Sequence, residues 1–144
     1  MGLDQAVSAR PGLVAGIGFR RHAQAAEIAS LIRRALEEAE AGPADLAAIA
    51  TAGDRAGEPA IREAAALFGL VPEGLSPEAL AACDPQVRTR SARIEALRGV
   101  GSLCEAAALA AAGPAGRLAL ARIATGSVTC ALAFRAETRE RPEA

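Results

Sequence analysis

Large apolar residues in this chain come in short bursts cut off by glycine, proline and charge, and their spacing alternates between strand-like and helix-like. Leu13 to Ile17 is a compact apolar run bounded by Pro11-Gly12 and Gly18, which predicts a buried strand ending in a turn. From Gln24 to Ala41 the large side chains fall at Ile28, Leu31, Ile32 and Leu36, the spacing of one helical stripe, with Gly42-Pro43 as the stop. Leu46 to Thr51 repeats the strand pattern, and Ile61, Ala64, Ala65 and Phe68 repeat the helical one, giving the order βαβα. Leu70-Val71 predicts a third, brief strand, and Ser76-Pro77-Glu78 places a cap residue and a first-turn proline at the start of a short helix.

The middle of the chain reads differently. Cys83 to Arg98 is polar and arginine-rich, contains Pro85 and keeps no period, so it reads as a surface loop or an irregular edge strand. After it, Ser102-Leu103-Cys104-Glu105 has the S-x-x-E spacing of a capping box, in which serine accepts from the amide three residues on and glutamate reaches back to the serine amide. An alanine-rich helix to Ala112 follows. Leu118 to Ile123 and Val128 to Phe134, with Gly126-Ser127 before the second run, predict a terminal hairpin. The sum is one three-layer α/β/α domain over residues 11–136, with a mixed, mostly parallel sheet, a flexible start at residues 1–10 and a flexible tail at residues 137–144.

Composition narrows the class. A chain of 144 residues suits one domain, and although 51% of it is hydrophobic, no stretch reaches the roughly 18 uninterrupted apolar residues of a membrane span. The first ten residues lack the basic start, apolar middle and cleavage site of a signal peptide, so the expected compartment is the cytoplasm. All 16 cationic residues are arginine, yet the net charge is -1 and aromatic residues are 2% of the chain, which removes both the basic excess and the stacking platforms that nucleic acid needs. The three cysteines, Cys83, Cys104 and Cys130, are widely spaced and accompanied by one histidine, which argues for reduced thiols and against zinc. No motif in the chain calls for a cofactor.

In an open α/β sheet, ligands bind where loops leave the carboxyl ends of strands and enter helix amino termini. Three segments meet that description: Gly16 to His22, Thr51 to Glu58, and Gly99 to Glu105. In the first, Gly16 and Gly18 allow close backbone approach, and Arg20 and Arg21 match carboxylate or phosphate in bidentate geometry, although an ordinary tight turn with solvated arginines would look the same. His22 has no neighbouring nucleophile and orienting carboxylate, so a ligand hydrogen bond or a helix-start role fits better than a general base. Asp54 and Glu58 stand either as an acid/base pair or as carboxylates favoured by a helix start, with Thr51 and Arg55 beside them. Gly101, Ser102 and Glu105 complete the set, Glu105 most economically as the capping-box residue and Cys104 as a small core side chain.

The order of these segments resembles the family of CobE proteins and CbiG carboxyl-terminal domains. The similar residues are Gly16-Ile17-Gly18 with Arg20-Arg21, the Thr51 to Glu58 segment, Leu67-Phe68-Gly69, Gly101-Ser102 with Glu105-Ala106-Ala107, and Thr129, so that the likeness runs from about Leu13 to Phe134. Phe19 stands where the family often has cysteine, and arginine or alanine at 55, 56 and 122 stands at or near usual lysines, which speaks against a lysine-dependent mechanism. The resemblance implies a role in cobalamin biosynthesis and two alternatives within it. One is an accessory protein that binds a precorrin or hydrogenobyrinic-type polycarboxylate on Arg20, Arg21, Arg55 and loop amides, next to other enzymes of the pathway. The other is a lactone-opening hydrolase like CbiG, with Asp54, Glu58 or Glu105 as acid or base.

Overall fold

The computed structural model describes residues 12–135. The elements follow in the order β1 (Leu13–Phe19), α1 (Ala25–Glu38), β2 (Leu46–Ala52), α2 (Pro59–Ala66), β3 (Glu73–Leu75), α3 (Pro77–Ala82), α4 (Ala92–Arg98), α5 (Leu103–Ala112), β4 (Arg117–Ala124) and β5 (Val128–Phe134). Five strands form one mixed sheet in the order β3-β2-β1-β5-β4. The pairings β1–β2 and β2–β3 are parallel, whereas β1–β5 and β4–β5 are antiparallel. β1 is therefore the strand beside which the sheet changes character, and every one of its residues is buried.

Alternation along β1 feeds two separate cores. Leu13, Ala15, Ile17 and Phe19 join Ile28, Leu31, Ile32 and Leu36 of α1 and Ile61, Ala64 and Ala65 of α2 on one face. Val14 joins Ala106, Ala107, Ala108 and Leu109 of α5 and Leu80 of α3 on the other. Small side chains on the α5 face let helix and strand approach closely. A methyl group at Gly16 would collide with the Cys104 carbonyl and stand 2.6 Å from the Ala108 amide nitrogen. Gly16 is thus a packing glycine beneath a helix.

Helix boundaries show where local chemistry prevails. α1 ends five residues before Pro43, because Glu40 turns left-handed (φ 59°) and the amides of Glu40 and Ala41 donate to the carbonyls of Glu37 and Leu36. α2 closes in the same way on left-handed Gly69, with Leu70 N–H donating to Ala65 O. That cap corrects the expected strand at Leu70-Val71: those residues complete the turn, Val71 is exposed, and β3 starts at Glu73 as a backbone-paired edge without an apolar run. The expected loop at Cys83 to Arg98 is also corrected. It holds a short 3-10 turn at Asp84–Gln86 and the helix α4, capped by Ser91 at one end and by left-handed Gly99 at the other. No residue of α4 is buried, so the apolar stripe that reveals a helix in sequence is missing. The predicted ends at residues 1–10 and 137–144 lie outside the described residues.

Candidate functional site

Chain segments from five parts of the molecule converge at the carboxyl end of β1, the place where an open sheet with a change of strand order leaves a crevice. The crevice has a volume of about 500 Å³. Gly18 to His22 form its floor and one lip, the hairpin turn from Arg122 to Thr129 forms another, and α4 with the start of α5 crosses the far side. Six arginines line it, namely Arg20, Arg21, Arg55, Arg93, Arg98 and Arg122, with His22 beside them and no carboxylate among the lining residues. Ile94, Leu97 and Leu103 add an apolar shelf.

The six arginines fall into two groups. Arg55 is committed: it is paired with Glu58, donates from Nη1 to the Phe19 carbonyl at 2.9 Å, and stacks 4.2 Å from the Phe19 ring centre. Hydrogen bonding from Arg55 holds the Glu58 carboxyl below its usual range. Arg98 donates from Nη1 to Asp54 at 2.8 Å, which lowers the Asp54 carboxyl in the same way. Arg20, Arg21, Arg93 and Arg122 are exposed, and none makes an ion pair with a carboxylate among the described residues. Four guanidiniums around one mouth that make no ion pair among the described residues attract a polyanion, because each presents a planar fork of donors matched to a carboxylate.

Several expected site residues take other roles. Gly16 is covered by α5 and does not reach the crevice. Thr51 is fully buried, and its hydroxyl donates to the Ile17 carbonyl at 2.7 Å, tying β2 to β1. Asp54 and Glu58 are not lining residues, and each is held by an arginine. Gly18, Arg20, Arg21, His22, Arg55, Gly101 and Ser102 do line the crevice.

Glu105 departs most from expectation. Ser102 does cap α5, accepting from the Glu105 amide at 3.4 Å, but the carboxylate does not complete the box. It is fully buried and accepts three backbone N–H groups from elsewhere: Arg88 at 2.6 Å and Thr89 at 3.0 Å on Oε1, and Arg122 at 2.8 Å on Oε2. Arg122 lies where β4 slips register against β5, between Leu120 and Ile123, so the carboxylate takes up an amide near the irregularity. Glu105 therefore joins α5, the segment before α4 and the bulged β4 into one wall. Beside it, Cys104 has its thiol pushed up by burial, which agrees with a core role.

Arg93, Arg98 and the turn residues Thr125 to Ser127 were not among the expected site residues. A cap signal was present in the first case, since Ser91 accepts from the Ile94 amide and Gly99 sits just past Arg98.

Fold and crevice together define an α/β domain with an arginine-lined mouth at the strand-order switch. The family model described as cobalamin synthesis G C-terminus matches residues 13–133. The chain is 35% identical over 139 residues to protein CobE from a Sinorhizobium species, covering 94% of this chain and 90% of that one. It superposes on the crystal structure of CobE, a protein from the cobalamin (vitamin B12) biosynthetic pathway, with a TM-score of 0.82 at 32% identity, over 90% of this chain and 94% of that one. Cobalamin biosynthesis protein chiG from Agrobacterium tumefaciens follows at TM-score 0.70 and 31% identity, over 87% and 99% of the two chains. A cobalamin biosynthesis protein G homolog from Sulfolobus solfataricus, 21% identical with a TM-score of 0.69, shares the fold across 88% of this chain and 37% of its own. The chain belongs to the cobalamin synthesis G carboxyl-terminal family, as a CobE-like cobalamin biosynthesis protein.

Proposed function

We propose that the crevice binds a corrin-ring intermediate through its peripheral carboxylates, and that the protein acts as an accessory or carrier component beside other enzymes of the pathway. The observation that carries this reading is the set of four arginines, Arg20, Arg21, Arg93 and Arg122, which ring the mouth without carboxylate partners among the described residues. A polycarboxylate macrocycle supplies the missing counter-charges while its flat apolar body rests on Ile94, Leu97 and Leu103. The lactone-opening alternative needs an acid or base at the ligand. Asp54 and Glu58 are engaged by arginine and Glu105 is saturated by amides, so binding is the better reading of this geometry. Three free thiols suit a reducing compartment, and we assign the protein to the cytoplasm. Among the described residues, no helix is long and apolar enough to cross a membrane.

The test is titration with hydrogenobyrinic acid, followed by visible absorbance and co-elution on gel filtration. A spectral shift with a dissociation constant below about 10 µM, weakening steeply with added salt, is expected. Arg20→Ala and Arg122→Ala should each weaken binding by about ten-fold, the usual scale of one charge-assisted hydrogen bond. No shift at that concentration, or equal binding of the pigment's fully esterified form, would overturn the reading.

A further inference from the structure

Helix α4 is held at both of its flanks and by few contacts along its length. Its amino-terminal end is anchored, because Ser91 N–H donates to the Gly101 carbonyl at 2.8 Å, Arg90 bonds Asp84 at 3.0 Å, and Glu105 grips the amides of Arg88 and Thr89 just upstream. The helix is closed at both ends by its own caps, Ser91 and left-handed Gly99, so it holds together as a unit. None of its side chains is fully buried, Ile94 packing partly buried against the second core, and Leu97 stays 65% exposed while lining the crevice. Just past its carboxyl-terminal end Val100 is buried and Gly101 N–H donates to Asp84 at 2.8 Å, and the side-chain tie from the helix itself to the loop after β2 is the Arg98–Asp54 ion pair, which bridges 44 residues of sequence.

From this arrangement we propose that α4 is a strap across the crevice and that Asp54 is a positioning residue whose pairing with Arg98 latches the strap. The inference deepens the corrinoid-binding reading and rests on it for the identity of the ligand. An incoming carboxylate competes with Asp54 for the Arg98 guanidinium, because both present the same bidentate acceptor. When it wins, α4 is released to settle over the ligand with Arg93 and Leu97 facing it. A latch suited to this must be weak. Asp54 is 66% exposed and Arg98 26%, which places the pair among surface ion pairs that change an equilibrium by about two- to five-fold.

The experiment is hydrogen exchange by mass spectrometry on the full chain without ligand. In Asp54→Asn and in Arg98→Gln the amides of α4 should exchange about two- to five-fold faster, with those of α5 unchanged. The double variant should exchange no faster than either single one. Glu38→Gln, which breaks a surface pair of the same kind with Arg34 on α1, should leave α4 unaffected. Unchanged exchange in α4, or acceleration shared by α5, overturns the strap. Stopped-flow mixing with hydrogenobyrinic acid should show a two- to five-fold faster association for Asp54→Asn, and an unchanged rate overturns the coupling of latch to ligand. Failure of the wild-type chain to bind the pigment would instead remove the proposed function, while the exchange result would still judge the strap.

Discussion

Replacing Glu105 by glutamine changes almost no volume but makes one of two acceptor oxygens a donor. In the wild type, Oε1 receives the amides of Arg88 and Thr89 and Oε2 receives that of Arg122, in a site without solvent contact. If the glutamine oxygen faces Arg88 and Thr89, its NH₂ opposes the Arg122 amide and strands that donor, at about 1–3 kcal/mol. The two bonds that survive change from charge-assisted to neutral, losing roughly 0.5–1 kcal/mol each. Turning the amide the other way strands two donors and is worse. The total of about 2–5 kcal/mol corresponds to a fall in melting temperature of roughly 10 °C for a domain of this size. Glu105→Ala, which also leaves a void, should lose more, about 5 kcal/mol or more. Circular dichroism melting and urea titration measure both. Pigment binding per folded molecule should be largely retained in Glu105→Gln below its transition. A variant that melts within about 2 °C of wild type yet loses all binding or turnover would refute this reasoning and restore Glu105 as a group acting on the ligand.

Gly16→Ala drives a methyl group into the α5 backbone, which cannot yield as a side chain would, and should cost about 3 kcal/mol or more, read by the same melts. Thr51→Val removes the hydroxyl that satisfies the Ile17 carbonyl and should cost about 1 kcal/mol without weakening pigment binding, because Thr51 is not a lining residue. Native thiol labelling should reach only Cys83, and slowly, since burial raises all three thiols and leaves Cys104 and Cys130 fully covered; rapid labelling of either would contradict the packing. Asp84 has its carboxyl lowered by the Arg90 hydrogen bond and then by the Gly101 amide, so the stability it contributes is present above its ordinary value of 3.8 and is lost as pH falls below it. Asp84→Asn should accordingly flatten the fall in melting temperature below about pH 4, and an unchanged acid profile would remove that linkage.

Strands β1, β2, β4 and β5 and the two long helices were legible because their signals are local. The strand run at Val128–Phe134 matches β5 residue for residue, and the stripe at Ile28, Leu31, Ile32 and Leu36 became the buried face of α1. Where the reading failed, the pattern carried no burial. α4 has no buried residue to betray its period, and β3 is an exposed edge whose pairing uses backbone alone.

The candidate site divides along the same line. The cluster Gly18 to His22 could be found from sequence because the glycine and two arginines are neighbours in the chain, and all of it does line the crevice. Thr51, Asp54 and Glu58 in one segment and Glu105 in another were picked out by residue type and position, but type does not show which partner a side chain meets. Each meets one distant in sequence or already charged: a carbonyl of β1, Arg98, Arg55, and three amides from two other segments. By itself, then, the amino-acid order determined the elements with periodic burial, the mixed sheet with its closing hairpin, and a stock of arginines with few aromatics. Only the tertiary arrangement decided which of those arginines pair with a carboxylate and which, among the described residues, do not, because an ion pair such as Arg98–Asp54 depends on a distance of a few ångströms between residues far apart in sequence, and no local pattern encodes it.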